Sequence, residues 1–193
     1  MTLDEIWEQI NAAVQQGRPS DLATILRKIE DSGHPLSCEL CFAAGYAAYM
    51  LPPEHPLKAR AHFWLLETML CQPGHIEAVL YLSYLLIDRQ EWEKSLALLF
   101  AISAEDAIAD GDLMDRLVEA RVFALSKMQR WEHALAQLDW FDRRMEVEPD
   151  CGLGLINFFK LLDDFTLTSP VSDLVFQKIS RIVQMARRPS PRG

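Results

Sequence analysis

Residues 90–99 read QEWEKSLALL and residues 129–138 read QRWEHALAQL. The two stretches share their tryptophan, the glutamate after it, and the leucines and alanine that follow. Each comes after an apolar helical run, so each is interpreted as the second helix of a helical hairpin. Hairpins repeated along a chain stack on one another, and such arrays bind other proteins far more often than they catalyse reactions.

The composition favours one soluble domain. The chain has 193 residues, of which 50% are apolar, and this is enough to bury one core. Its net charge of −9 argues against nucleic acid as a partner, because a phosphate backbone needs clustered Lys and Arg. We find no signal peptide and no apolar run long enough to span a bilayer, which predicts a cytoplasmic protein. The four cysteines are therefore predicted to be reduced.

Helical periodicity covers the chain without any strand signature, so the predicted fold class is all-α, with about ten helices. Residues 1–36 are expected to form an N-terminal capping hairpin. Its first helix begins with a capping box of Thr2 and Glu5 and ends at Gly17, and Ser20 is expected to cap its second helix.

Three hairpin units are predicted over residues 37–149, and capping helices over residues 150–188. An acidic connector is expected at 103–115 and an acidic turn at 146–150, with a helix from Leu117 between them. The last helix carries an apolar stripe that includes Leu174 and should face the core. Residues 189–193 are predicted to be a disordered tail, and residues 1–188 a single domain.

The spacing of the small residues resembles the tetratricopeptide repeat (TPR) family, a helical hairpin of 34 residues. With Ile76 at position one, Ser83 falls at position eight and Ser95 at position twenty, where small residues let the two helices approach. Gly45 takes position eight of the first unit if the turn at 51–57 is extended, whereas Val122 replaces the small residue in the last unit. The resemblance implies a right-handed α-solenoid of stacked antiparallel hairpins.

In that family the first helix of each hairpin lines a groove that binds peptides. The resemblance therefore implies a groove lined mostly by aromatic and apolar residues, suited to an apolar peptide or amphipathic helix. The candidate partner-binding residues are Phe42, Tyr46, Tyr49, Leu80, Tyr84, Ile87, Phe123 and Lys127. The alternative is that these residues are core, covered by the N-terminal hairpin or by the turn at 51–57.

Other chemistries have weaker signals. Cys38 and Cys41, with Cys71, His62 and His75 elsewhere in the chain, could suggest zinc, but no second closely spaced ligand pair exists, so no metal is predicted. Nothing marks a nucleophile with its base, so the chain is predicted to be no enzyme and to need no cofactor. The basic end of the last helix, with Arg187 and Arg188 in its last turn, could favour an anionic membrane. These arginines also suit the negative end of the helix dipole, and we favour a capping helix with an arginine end because its apolar stripe should face the core.

The sequence thus predicts an adaptor or chaperone whose partner is a protein. Its size, acidity and aromatic groove are similar to the chaperones that hold translocator proteins before bacterial type III secretion. The alternative is a structural subunit of a larger assembly that binds through its convex face or end caps. In that case the tryptophans that are exposed would contribute to the interface. The set from which they would come is Trp64, Trp92, Trp131 and Trp140. The sequence leaves the client and the oligomeric state open.

Overall fold

The computed structural model describes residues 2–33, 35–102, 111–147 and 156–186. These parts of the chain hold ten α-helices, one 3-10 turn and no strand. The helices are α1 (Leu3–Gln15), α2 (Pro19–Asp31), α3 (Cys38–Tyr49), α4 (Arg60–Cys71), α5 (Ile76–Asp88), α6 (Trp92–Ala101), α7 (Gly111–Lys127), α8 (Trp131–Val147), α9 (Ile156–Asp163) and α10 (Pro170–Ala186); the 3-10 turn is Pro56–Ala59. None of the described helices is long and apolar enough to cross a membrane.

The chain divides into two compact units, Met1–Asp88 and Arg89–Gly193. The first unit contains α1 to α5 and the second contains α6 to α10. The single domain over residues 1–188 stays a prediction.

The N-terminal hairpin packs α1 against α2. The predicted capping box is present, because the Glu5 amide donates to Thr2 Oγ1 at 3.2 Å and the Thr2 amide donates to Glu5 Oε2 at 2.8 Å. Gly17 has a φ of +61°, a conformation that glycine adopts without strain, and it follows the end of α1. The expectation that Ser20 caps α2 was wrong, because the helix begins at Pro19, whose missing N–H costs nothing at a first position.

The second hairpin, α3 and α4, is held together by small residues. Ser37 caps α3, since its Oγ accepts from the Leu40 amide at 3.3 Å. A Cβ atom built on Gly45 would lie 2.9 Å from the Leu65 side chain, so only glycine allows α3 and α4 this separation. Leu51, in the turn between them, is buried.

A disulfide joins Cys38, at the start of α3, to Cys71, at the end of α4, with their Cα atoms 5.9 Å apart. The prediction that every cysteine is reduced was therefore wrong for this pair. The antiparallel hairpin brings together two cysteines that are 33 residues apart in the chain, which their positions in separate helical patterns did not reveal. Cys41 is free and buried, whereas Cys151 lies outside the described residues.

The second unit places small residues where its hairpin helices meet. Ser95 and Ala134 are fully buried, as expected for position twenty, and Val122 is fully buried at position eight. The guanidinium of Arg121 donates to the carbonyls of Leu99 and Ile102, at 2.6 and 3.2 Å. This side chain therefore satisfies acceptors at the end of α6 that the helix itself leaves unpaired.

The buried carboxylate of Glu119, on α7, holds the first residues of α9. It accepts from the backbone amides of Asn157 and Phe158, at 2.8 and 3.0 Å, and from the Asn157 side chain at 3.3 Å. Burial raises the pKa of Glu119 to about 7, against these hydrogen bonds and the charge of Arg116, which lower it.

Helix α7 begins at Gly111, six residues before the predicted Leu117. Asp115 was expected in the acidic connector, but it is buried and accepts from the Trp140 indole at 2.9 Å. Residues 103–110 of that connector lie outside the described residues, as do 148–150 of the acidic turn and the tail at 189–193.

Helix α10 packs against α8 and α9. Val175, Ile179 and Ile182 are buried as predicted, but Leu174 is 43% exposed and does not belong to the core-facing stripe. Lys178 pairs with Asp139 and Asp142 of α8, at 2.9 and 2.6 Å. These contacts fix α10 within the second unit.

Candidate functional site

Four tyrosines on α3 and α5 form one cluster, which we call the tyrosine patch: Tyr46, Tyr49, Tyr81 and Tyr84. The Tyr81 ring lies 5.0 Å from that of Tyr46 and 5.1 Å from that of Tyr49, centre to centre. Tyr84 lies 6.1 Å from Tyr81 and 6.4 Å from Tyr49. All four residues are half-buried, so each member of the patch is partly accessible to solvent.

The patch follows from helical spacing. Tyr46 and Tyr49 are three residues apart on α3, and Tyr81 and Tyr84 are three apart on α5, so each pair lies on one helix face. Helices α3 and α5 contact each other, and both pack on α4. The four rings are therefore placed by helices with a buried core behind them.

The N-terminal hairpin covers one side of the cluster. The Trp7 ring, on α1, lies 5.6 Å from Phe42 and 5.7 Å from Tyr46. Phe42 is only 7% exposed and also contacts His75, with the ring centres 4.3 Å apart. The alternative that the predicted groove residues are core therefore holds for Phe42.

The remaining predicted residues are placed differently. Leu80 and Ile87 are buried in the first unit, with exposures of 0% and 5%, so neither presents a binding surface. Phe123 and Lys127 belong to the second unit, where Phe123 is buried and lies 6.1 Å from the Trp92 ring. The Lys127 ammonium lies 5.5 Å from the centre of the Phe123 ring and 3.3 Å from Asp164.

Tyr81 is the member of the patch that sequence reasoning missed. It stands at position six of its repeat, which is not among the groove positions that the TPR resemblance implies. The signal was its separation of three residues from Tyr84, which places both rings on one face of α5.

Charged side chains lie at both ends of the patch. At one end, burial lowers the pKa of His75, and the charges of Glu77 and Glu39 only partly offset this shift. At the other end, Lys58 lies with its ammonium 4.6 Å from the centre of the Tyr49 ring and donates to the Tyr49 carbonyl. Burial lowers the pKa of Lys58, against the charge of Asp88.

Three of the residues considered for zinc, Cys38, Cys71 and His75, are engaged in other contacts. Cys38 is bonded to Cys71, and His75 Nδ1 accepts from the Ala78 amide at 3.3 Å near the start of α5. No cluster of three His, Cys, Asp or Glu side chains with metal-binding geometry occurs in the described parts of the chain.

Three of the tryptophans proposed for a convex interface donate hydrogen bonds within their own unit. Trp64 is 3% exposed and donates to Glu30 at 3.0 Å. Trp131 is 9% exposed and donates to Thr168 at 3.1 Å, and Trp140 donates to Asp115. Their indoles therefore hold helices together, and Trp64 and Trp131 are buried, so neither is an exposed member of the tryptophan set.

No family model matches the chain, and no curated protein matches it. Among solved structures, one described as "MamA RS-1 ArsTM double mutant" matches with a TM-score of 0.60 over 96% of each chain, at 16% sequence identity. A likeness at this identity shows the fold alone. The predicted fold class, an all-α solenoid of the TPR-like kind, is confirmed, whereas the similarity to secretion chaperones stays a prediction.

Proposed function

We propose that this chain is a non-catalytic protein-interaction module that holds an apolar peptide or amphipathic helix of a client protein. It would act in the cytoplasm as an adaptor or secretion-type chaperone. The observation that carries the proposal is the tyrosine patch, because its four clustered tyrosines are each only half-buried. Large rigid rings supply binding area at little cost in conformational entropy, and they are frequent at interfaces.

The patch is also preorganised for binding. Trp7 and Phe42 pack against Tyr46 from one side, and the α3–α5 pair holds the remaining rings at 5.0 to 6.4 Å. A surface that is ordered before binding loses less entropy when a client arrives, so more of the contact energy contributes to affinity.

The proposal is tested with a partner that copurifies with the full chain from its native host and is then purified. We expect the double variant Tyr46→Ser, Tyr84→Ser to bind this partner at least about tenfold more weakly, since truncation of central aromatic residues is costly. Thermal melting of the variant reports whether its fold is kept.

The matched control is Phe63→Ser, which removes a 52% exposed aromatic ring from α4, away from the patch. This variant should bind the partner as the natural chain does. Unchanged binding by a folded double tyrosine variant would contradict the proposal, and so would a loss of binding that only follows a loss of folding.

A structural subunit is the second candidate, and the exposed face of α4 favours it. Phe63, Leu66 and Leu70 lie at helical spacing and are 52%, 38% and 76% exposed. If this face carries the interaction, Leu66→Ser with Leu70→Ser will abolish partner binding while the tyrosine variant retains it. The two candidates therefore predict opposite results with the same pair of proteins.

The Cys38–Cys71 bond bears on the compartment. Disulfides persist mainly in oxidising surroundings, whereas cytosolic thiols are kept reduced. Alkylation of intact cells of the host, followed by mass mapping, would show whether this bond exists where the protein works. A quantitative bond in the native host would count against the cytoplasmic part of the proposal.

A further inference from the structure

The two helices that carry the tyrosine patch have charges of one sign. Helix α3 contains Glu39, and helix α5 contains Glu77 and Asp88, but neither helix has a Lys or Arg. All three carboxylates are on exposed residues. The unit to which they belong, Met1–Asp88, has eleven Asp or Glu and five Lys or Arg, a formal charge of −6.

These carboxylates lie near the two ends of the patch. Glu39 is seven residues before Tyr46 on α3, so the two side chains lie on one helix face. Glu77 is four residues before Tyr81 and seven before Tyr84 on α5, so it shares the face of these two rings. Asp88 is four residues after Tyr84 on α5, and Lys58 lies over the Tyr49 ring. The aromatic surface therefore has carboxylates towards both ends, with the Lys58 ammonium also present at one of them.

Lys58 shows what such a surface accepts. Its ammonium comes from the 3-10 turn, lies over the Tyr49 ring at 4.6 Å, donates to a backbone carbonyl, and has Asp88 as a nearby opposite charge. Cations are attracted to the negative faces of aromatic rings, and the attraction grows as the site loses water. The chain itself thus places a lysine at one ring of the patch.

We propose that the client segment held by the tyrosine patch is basic, with Lys or Arg side chains that lie over the tyrosine rings and pair with Glu39, Glu77 and Asp88. This inference rests on the proposed function and specifies the chemistry of the partner. An acidic segment would meet like charges at Glu39, Glu77 and Asp88, and a purely apolar one would gain no electrostatic attraction from them. Charge complementarity therefore selects among segments that could all cover the rings.

The first test selects binders from a random peptide library displayed on phage, with the full chain as bait. The same selection on the Tyr46→Ser, Tyr84→Ser variant identifies the peptides that depend on the patch. We expect these peptides to be enriched in Lys and Arg and depleted in Asp and Glu relative to the library. Patch-dependent peptides without basic enrichment overturn this inference but leave the proposed function intact, whereas a selection without patch-dependent peptides contradicts both.

The second test measures one selected peptide against charge variants by titration calorimetry. Replacing a lysine that contacts a ring with norleucine should weaken binding about two- to fivefold. Glu39→Gln with Glu77→Gln should weaken the lysine peptide and leave the norleucine peptide unchanged. Asp4→Asn with Asp31→Asn removes the same charge from exposed residues outside α3 and α5 and should affect neither peptide.

Salt gives an independent readout of the same idea. Added salt screens exposed charges, so it should weaken the lysine peptide more than the norleucine peptide. Equal affinities of the two peptides for the natural chain, or an equal effect of the two charge-removing variants, overturn the inference.

Discussion

Gly45 shows how one missing side chain sets the separation of two helices. It lies in the middle of α3, and a Cβ at this position would meet Leu65 Cγ and Cδ2 at 2.9 Å and the Leu65 amide nitrogen at 3.2 Å. Leu65 is fully buried, so it cannot move aside without disturbing the core. The small residue that the repeat spacing predicts at position eight is thus required by packing.

We expect Gly45→Ala to destabilise the protein. Alanine gains about 1 kcal/mol over glycine in a helix interior, but overpacking of a full core costs about 1–3 kcal/mol and the backbone of α4 would also have to shift. The free energy of unfolding, measured with urea, should fall by about 1 kcal/mol. Gly74→Ala is the control, because nothing lies within 4 Å of its added Cβ; a loss of equal size there would show that the Leu65 contact is not the cause.

Cys38 and Cys71 supply a second prediction at this scale. A bond that closes a loop of this length stabilises a protein by about 2–4 kcal/mol, mostly by restricting the unfolded chain. Reduction with a phosphine should therefore lower the melting temperature, and Cys71→Ser should lower it equally and remove the effect of the reductant. Alkylation of Cys71 in the unreduced, denatured chain would contradict the bond.

Among the helices, α9 owes its start to a side chain from another helix. Glu119 of α7 accepts both the Asn157 and Phe158 amides, which a helix cannot pair within itself. Desolvation of the carboxylate outweighs these bonds, so its pKa is about 7 in the folded chain against an ordinary value of 4.5. Folding therefore favours the protonated carboxyl.

The sign of the pH effect follows from that shift. The contribution of Glu119 to stability is fully present below its unfolded pKa and is lost as the pH rises through about 7. Glu119→Gln, which keeps an acceptor but cannot ionise, should gain stability over the natural chain by about 3 kcal/mol between pH 5 and pH 8. Urea unfolding at several pH values measures this difference.

The control for that series is Glu132→Gln, an exposed position on α8, whose stability relative to the natural chain should stay nearly constant with pH. A constant difference for Glu119→Gln as well would contradict the assignment of the pH dependence to the α7–α9 contact.

The separation along the chain between a helix end and the side chain that caps it explains which helix ends could be predicted from sequence. The start of α1 was predicted correctly because Thr2 caps an amide only three residues away. The early start of α7 was missed because its buried Asp115 is paired with Trp140, 25 residues on. The Glu119 contact with α9 was missed for the same reason, since the partners are 38 residues apart. Local caps are visible in a sequence, whereas tertiary caps are not.

The candidate site was predictable to a similar degree. The groove positions that the TPR resemblance implies include Tyr46, Tyr49 and Tyr84, which are half-buried in one cluster. The repeat register also selected Leu80, which is fully buried, and it missed Tyr81. The position of a residue in the repeat predicts which face of its helix it occupies. How deeply that residue is buried depends on the side chains that neighbouring helices pack against this face, as Trp7 of α1 does against Phe42.

For the molecule as a whole, the tyrosine patch with its carboxylates and the exposed face of α4 are two alternative binding surfaces for a partner. The tyrosine patch and its carboxylates lie on α3 and α5, whereas Phe63, Leu66 and Leu70 lie on α4. We expect the purified partner to slow amide hydrogen exchange in α3 and α5, because a bound segment covers these helices and suppresses their local opening.

The exchange map becomes decisive when it is combined with a variant. Leu66→Ser with Leu70→Ser removes apolar surface from α4 and leaves the patch untouched, so the variant should show the same protection in α3 and α5 on binding. Protection that appears on α4 instead, and disappears in this variant, would assign the interaction to the α4 face. The partner would then be a neighbour in a larger assembly, and the tyrosine rings would serve to hold α3 and α5 together.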